Sequence, residues 1–182
     1  MNVTKETSTD LILECKPLID PHLGDLEFKR ATKTKPIKAK PLANLMADRS
    51  ILAKFLLDTL EGNQVLKASS MVCLGAAGDV WQQPPNKLLA KYTVKNVNEE
   101  GWLECEPKPD NEVLAVQISE DQCGPEGFTL CGQWGDERIV DGKQRFLQYG
   151  IAGDYVLQSV TDPTDRWIVK RGLYESTYDW KA

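Results

Sequence analysis

The chain of 182 residues contains a single histidine, His22. A lone imidazole directly after Pro21 in a Pro-flanked N-terminal segment is poorly placed as a general base, and no Gly-x-Ser-x-Gly, zincin or dinucleotide-binding pattern is present. No apolar run approaches the roughly 20 residues that a bilayer-spanning helix needs. The first residues, Met1-Asn2-Val3-Thr4-Lys5-Glu6, lack the apolar core of a secretory signal. The five cysteines, Cys15, Cys73, Cys105, Cys123 and Cys131, are odd in number and nowhere at C-x-x-C spacing. These absences lead to expectations of a cytoplasmic protein with free thiols, no membrane partner, no bound metal and no cofactor.

What is present is an ordinary globular composition, 41% hydrophobic and 27% charged, which excludes a disordered, collagen-like or coiled-coil chain. The net charge of −5 hides an asymmetry, since most of the acidic excess lies in the second half. The basic residues concentrate in Lys29-Arg30-Ala31-Thr32-Lys33-Thr34-Lys35-Pro36-Ile37-Lys38-Ala39-Lys40. This segment reads as a solvated strand edge, or as a track for a phosphate backbone. The acidic second half and a pI near 5.0 disfavour nucleic acid.

Leu42, Leu45, Met46, Leu52, Phe55, Leu56 and Leu60 recur at helical spacing, so an amphipathic helix is expected over 48–61 with Gly62 as its stop. After Gly62 the pattern changes to short strands separated by turns, among them Ser70 to Leu74, Lys87 to Val94, Val113 to Ile118 and Arg166 to Lys170. The tail from Gly172 to Tyr178 reads as one helical turn.

An internal duplication underlies the rest. Leu74-Gly75-Ala76-Ala77-Gly78-Asp79-Val80-Trp81-Gln82-Gln83 aligns with Tyr149-Gly150-Ile151-Ala152-Gly153-Asp154-Tyr155-Val156-Leu157-Gln158, and the strand near Ile37 aligns with Glu112 to Gln117. The shared Gly-Asp suits a tight turn, with glycine at positive φ and the carboxylate accepting backbone N–H groups. The expected fold is α+β, mainly β. It comprises an arm over 1–28, a β-rich unit over 29–110 that carries the helix, and a related β-rich unit over 111–182, each barrel- or meander-like.

The stretches Gly150-Ile151-Ala152-Gly153-Asp154-Tyr155-Val156, Asp165 to Arg171 and Leu173-Tyr174-Glu175-Ser176-Thr177-Tyr178 resemble small bacterial and phage proteins named for a Pro-Gly-Asp-Tyr-Gly motif. Thr34-Lys35-Pro36-Ile37 and Thr59-Leu60-Glu61-Gly62 are similar to the opening segments of related phage proteins. The resemblance implies a compact β-rich module and a phage or bacterial accessory role, and transfers no catalytic residue.

Three functions follow from the residues: a non-catalytic binding module for a protein or small ligand, a carboxylate enzyme acting on a nucleotide-like substrate, or a nucleic-acid binder using residues 29–40. The aromatics and carboxylates flanking the repeated turns, Asp79, Trp81, Tyr92, Asp154, Tyr155 and Trp167, are the candidate ligand-binding residues. Their structural alternative is a role as core aromatics and turn caps.

Overall fold

Period-two burial builds the protein. The computed structural model describes residues 18–19, 26–45, 56–59, 62–140 and 142–181. In chain order its strands are β1 (Leu18–Ile19), β2 (Lys29–Lys33), β3 (Ile37–Pro41), β4 (Leu56–Thr59), β5 (Gly62–Val65), β6 (Met71–Leu74), β7 (Val80–Gln83) and β8 (Tyr92–Val97). There follow β9 (Leu103–Pro107), β10 (Glu112–Gln117), β11 (Phe128–Gly132), β12 (Asp136–Val140), β13 (Lys143–Gly150), β14 (Tyr155–Ser159), β15 (Arg166–Val169) and β16 (Tyr178–Trp180). The fold is α+β and mainly β. Among the described residues, four short helices span Leu42–Leu45, Pro85–Lys91, Glu120–Cys123 and Arg171–Thr177.

Two five-stranded antiparallel sheets share one layout. The first has the order β7-β6-β3-β9-β8 and the second β15-β14-β10-β2-β16. In each, a central strand pairs with the first arm of a hairpin, a seven-residue helix leaves the hairpin, and a strand on the far edge follows directly. The register agrees in detail. Cys73 faces Trp81 across the first hairpin as Leu157 faces Trp167 across the second. Ala39 faces Cys73 as Ala115 faces Leu157. Backbone contacts repeat as well: the Gly75 amide donates to the Asp79 carbonyl and the Ser159 amide to the Asp165 carbonyl.

Alternate side chains fill separate layers. Met71 and Cys73 enter one cluster with Ile37, Leu88 and Tyr92, whereas Val72 between them packs with Leu42, Leu45 and Trp102. In the second sheet Tyr155 and Leu157 pack with Val113, Tyr174 and Tyr178, and Val156 packs with Phe128, Leu130 and Ile168. Complete burial of side chains such as Leu88 and Leu157 contributes roughly 1.5–3 kcal/mol each. A further sheet, β1-β11-β13-β12, covers the second sheet, and β4 and β5 form a hairpin.

Several expectations change. Within the expected helix 48–61, Leu56–Thr59 is a strand and Gly62 opens its partner rather than stopping a helix. Residues 46–55 and 60–61 lie outside the described residues, as do Cys15, His22 and the arm up to residue 17. Pairing between Leu56 and Val65 outweighs the helical spacing of leucines. The expected strand over 87–94 is a helix up to Lys91, because Pro84-Pro85 presets the first turn, where a missing amide costs nothing.

The duplication shifts register. Asp79 turns between the paired strands β6 and β7, but Asp154 joins β13 to β14, which lie in different sheets. The two ten-residue stretches are therefore not equivalent units. The structural repeat pairs Asp79-Val80-Trp81 with Asp165-Arg166-Trp167, and Leu88 and Tyr92 with Tyr174 and Tyr178, at one constant offset (79 to 165, 81 to 167, 92 to 178). The expected match of the strand near Ile37 to Glu112–Gln117 holds, with Ile37 and Ala39 answering to Val113 and Ala115.

The boundary at residue 29 also shifts. β2 pairs with β10 and β16, so residues 29–33 belong to the second sheet, in the place that β9 holds in the first. The basic segment is not a sheet edge. It divides after Lys33, and each of its strands is flanked by a partner on both sides.

Asp154 closes a corner. Its carboxylate accepts the Ile151 amide at 3.0 Å, the Arg171 amide at the start of the last helix at 3.1 Å, and Lys170 Nζ at 3.0 Å. The preceding Gly153 has φ +93°, a conformation that a side chain would strain. Asp154→Ala leaves two amides without their acceptor and Lys170 with the Tyr149 carbonyl, so it should destabilise by about 1–3 kcal/mol, with Asp154→Asn costing less. Urea unfolding of both variants measures this.

Candidate functional site

The inner faces of the two sheets do not meet completely. Between them lies a cavity of about 140 Å³ whose lining includes Asp79, Trp81 and Tyr92 from the first sheet and Asp165, Trp167 and Tyr178 from the second. These are the equivalent residues of the structural repeat, so each sheet contributes the same half-site. Trp134, from the turn before β12, and Gln148 of β13 also line it. Gln148 is fixed at both ends: it donates to the Trp134 carbonyl at 2.8 Å and accepts the Ile168 amide at 2.7 Å.

Lysines cross between the halves. Lys33, on β2 of the second sheet, places Nζ 4.5 Å from the centre of the Trp81 ring of the first, and 5.3 Å from Tyr178. Lys91, at the end of the first helix, places Nζ 4.8 Å from the Trp167 ring of the second. Among the described residues neither ammonium has a hydrogen-bond acceptor. Lys87 differs: it donates to Asp165 Oδ2 at 2.6 Å and to Gln133 Oε1 at 3.3 Å.

Burial sets the protonation of this cluster. Lys33 is 9% exposed, and desolvation lowers its pKa from 10.5 to about 8 despite the opposing field of Asp79. Burial likewise lowers Lys91, with Asp165 opposing. Tyr92 is raised well above its ordinary value by burial, with Tyr178 beside it. Cys73, beneath the cavity wall, is pushed up to about 12.

The two aspartates differ in their bonding. Asp165 is neutralised by Lys87. The Asp79 carboxylate lies so close to Gly75 that a Cβ there would meet Oδ1 at 1.9 Å, and Oδ1 is buried with no hydrogen-bond partner among the described residues.

Of the six residues singled out from the sequence, Asp79, Trp81, Tyr92 and Trp167 line the cavity. Asp154 and Tyr155 do not. Asp154 holds the corner described above, and Tyr155 stacks on Tyr174 with ring centres 3.7 Å apart, in the outer part of the second sheet's core. The sequence reading missed Lys33, Lys87, Lys91, Trp134, Asp165 and Tyr178. The recurring Asp-x-Trp followed eleven residues later by Tyr, at Asp79 and at Asp165, was the available signal for two of these, Asp165 and Tyr178.

Compared with protein-family models, with curated proteins and with solved structures, the chain has no match.

The Lys33 shift has a sign that can be measured. A lysine whose folded pKa lies below its unfolded value of 10.5 binds fewer protons in the folded state between the two values, so stability rises with pH there. Cys73 opposes this once pH exceeds its ordinary value of 9.0. The gain is therefore clearest between about pH 8 and 9, where the lowered Lys91 acts in the same direction, and Lys33→Met should reduce it. Denaturant unfolding at closely spaced pH values in that interval is the measurement.

Proposed function

We propose that the protein is a non-catalytic binding module whose small ligand occupies the cavity between the two sheets. The observation that carries this reading is the convergence of two equivalent half-sites, Asp79-Trp81-Tyr92 and Asp165-Trp167-Tyr178, on one concave space. A pocket walled by aromatic rings with a few polar groups is the usual form of a small-molecule site.

The alternatives have less support. Carboxylate chemistry needs an acid or base in reach of the ligand, but Asp165 is bound to Lys87 and Asp79 Oδ1 is sealed against Gly75. Nucleic-acid binding through residues 29–40 needs exposed basic groups. Here Lys33 is internal, Arg30 pairs with Glu112 at 2.6 Å and Lys40 donates to the Glu100 carbonyl at 2.8 Å, which leaves the exposed Lys29, Lys35 and Lys38 divided between two sheets and the turn that joins them. The likeness to the Pro-Gly-Asp-Tyr-Gly proteins centres on the Asp154 corner, which supports a shared scaffold more than a shared site.

The tryptophans provide an internal control. Of the five in the chain, Trp81, Trp134 and Trp167 line the cavity, whereas Trp102 and Trp180 do not. Titration with benzyl alcohol, followed by the indole N–H resonances in an NMR spectrum, should shift the first three saturably and leave the other two in place. Uniform shifts of all five, or none, would overturn the proposal.

A further inference from the structure

Building on the cavity as a ligand site, we infer that it is specific for oxyanions: Lys33 and Lys91, one from each half, together receive the carboxylate or phosphate of a ligand whose body is a single flat ring held between the indoles.

The first support is the unmet valence of the two ammoniums. A lysine carries three N–H donors and strongly prefers a partner when buried. Among the described residues Lys33 and Lys91 meet only indole and phenol faces. A cation over a ring face contributes about 0.5–2 kcal/mol and leaves the donors directed elsewhere. The charge count agrees, because three lysines line the cavity against two aspartates. Lys87 already neutralises Asp165, so a ligand anion would break no existing pair. Lys33 and Lys91 also raise each other's cost by mutual repulsion, which an anion placed between them would relieve.

Size and wall chemistry define the rest of the ligand. A cavity of about 140 Å³ is of the size known to admit one benzene ring. Trp81 and Trp167 line the cavity, and a ring packed against either indole gains about 0.5–1.5 kcal/mol beyond its buried area. Carboxylates and phosphates accept several N–H donors at once, which suits two convergent ammoniums better than a single-point acceptor does.

The test compares probes on the wild-type protein at about pH 7, read by the indole resonances of Trp81 and Trp167. Benzoate or phenyl phosphate should bind roughly tenfold or more tighter than benzyl alcohol, the scale of one charge-assisted hydrogen bond, and benzylamine no tighter than benzyl alcohol. Preference between benzoate and phenyl phosphate identifies which oxyanion the site takes. Inorganic phosphate should bind weakly, and if it equals phenyl phosphate the ring has no part in recognition and that half of the inference falls. Lys33→Met and Lys91→Met should each abolish the preference for benzoate over benzyl alcohol while still binding the alcohol.

Benzoate affinity in the wild type should also decline as the pH is raised through about 8, where Lys33 loses its proton amid Asp79, Cys73, Lys91, Tyr92 and Tyr178, the titratable groups around it. Benzyl alcohol binding without any preference for the anions overturns this inference alone and leaves the cavity as a site. Failure of every probe to shift the three cavity tryptophans overturns both.

Discussion

The pairing of β2 on both sides governs the interior of this protein. A strand hydrogen-bonded to β10 and to β16 has no solvent edge, and its alternation turns Ala31 and Lys33 to the inner face. A charged side chain is thereby committed to the space between two sheets, at a cost that neighbours must offset. Asp79 does so by its field and Trp81 and Tyr178 by their ring faces. The space that remains around the ammonium is the cavity. Had β2 been an edge strand, Lys33 would have extended into water and the sheets could have closed on each other with apolar side chains.

The two halves are alike in framework and different in fill. Both place Asp, Trp and Tyr at equivalent points, and both send a lysine across to the other half's tryptophan. The lysines themselves are not equivalent, since Lys33 lies on a strand and Lys91 ends a helix. Their positions follow from two backbones that differ in detail. Core residues differ as well: Leu88 is matched by Tyr174, and the larger side chain supports the stacked rings of Tyr155, Tyr174 and Tyr178.

Much of the scaffold was legible in the sequence, because turn residues and alternating apolar positions act locally. The short strands, the tight Gly-Asp turns, the last helical turn and the likeness of the Ile37 strand to Glu112–Gln117 all follow from such signals. The helix expected over 48–61 misled because leucine spacing cannot report the partner strand at Gly62–Val65. The two sheets do share one layout, but Gly-x-Ala-Gly-Asp is a turn signature that recurs wherever the chain bends, so matching it put Asp154 where Asp165 belongs. Four of the six candidate residues reached the cavity because aromatic side chains beside the turns are fixed by strand alternation. The lysines were hidden by their composition: a run of basic residues looks like solvated surface, and only the pairing of β2 with strands far along the chain shows that Lys33 points inward.

The route of the chain has a consequence for how the molecule assembles. The first sheet draws its five strands from one continuous stretch, β3 to β9, and can pair as soon as that stretch is available. The second sheet joins β2 to β10, β14, β15 and β16, so its opening strand must wait while the whole of the first sheet is made and folded. Closing so long a loop is entropically slow, and during the wait β2 offers unpaired backbone to any neighbouring strand. The three cationic side chains of β2, Lys29, Arg30 and Lys33, discourage such pairing in the interim. The same charge that later lies inside the cavity therefore protects the strand before the cavity exists.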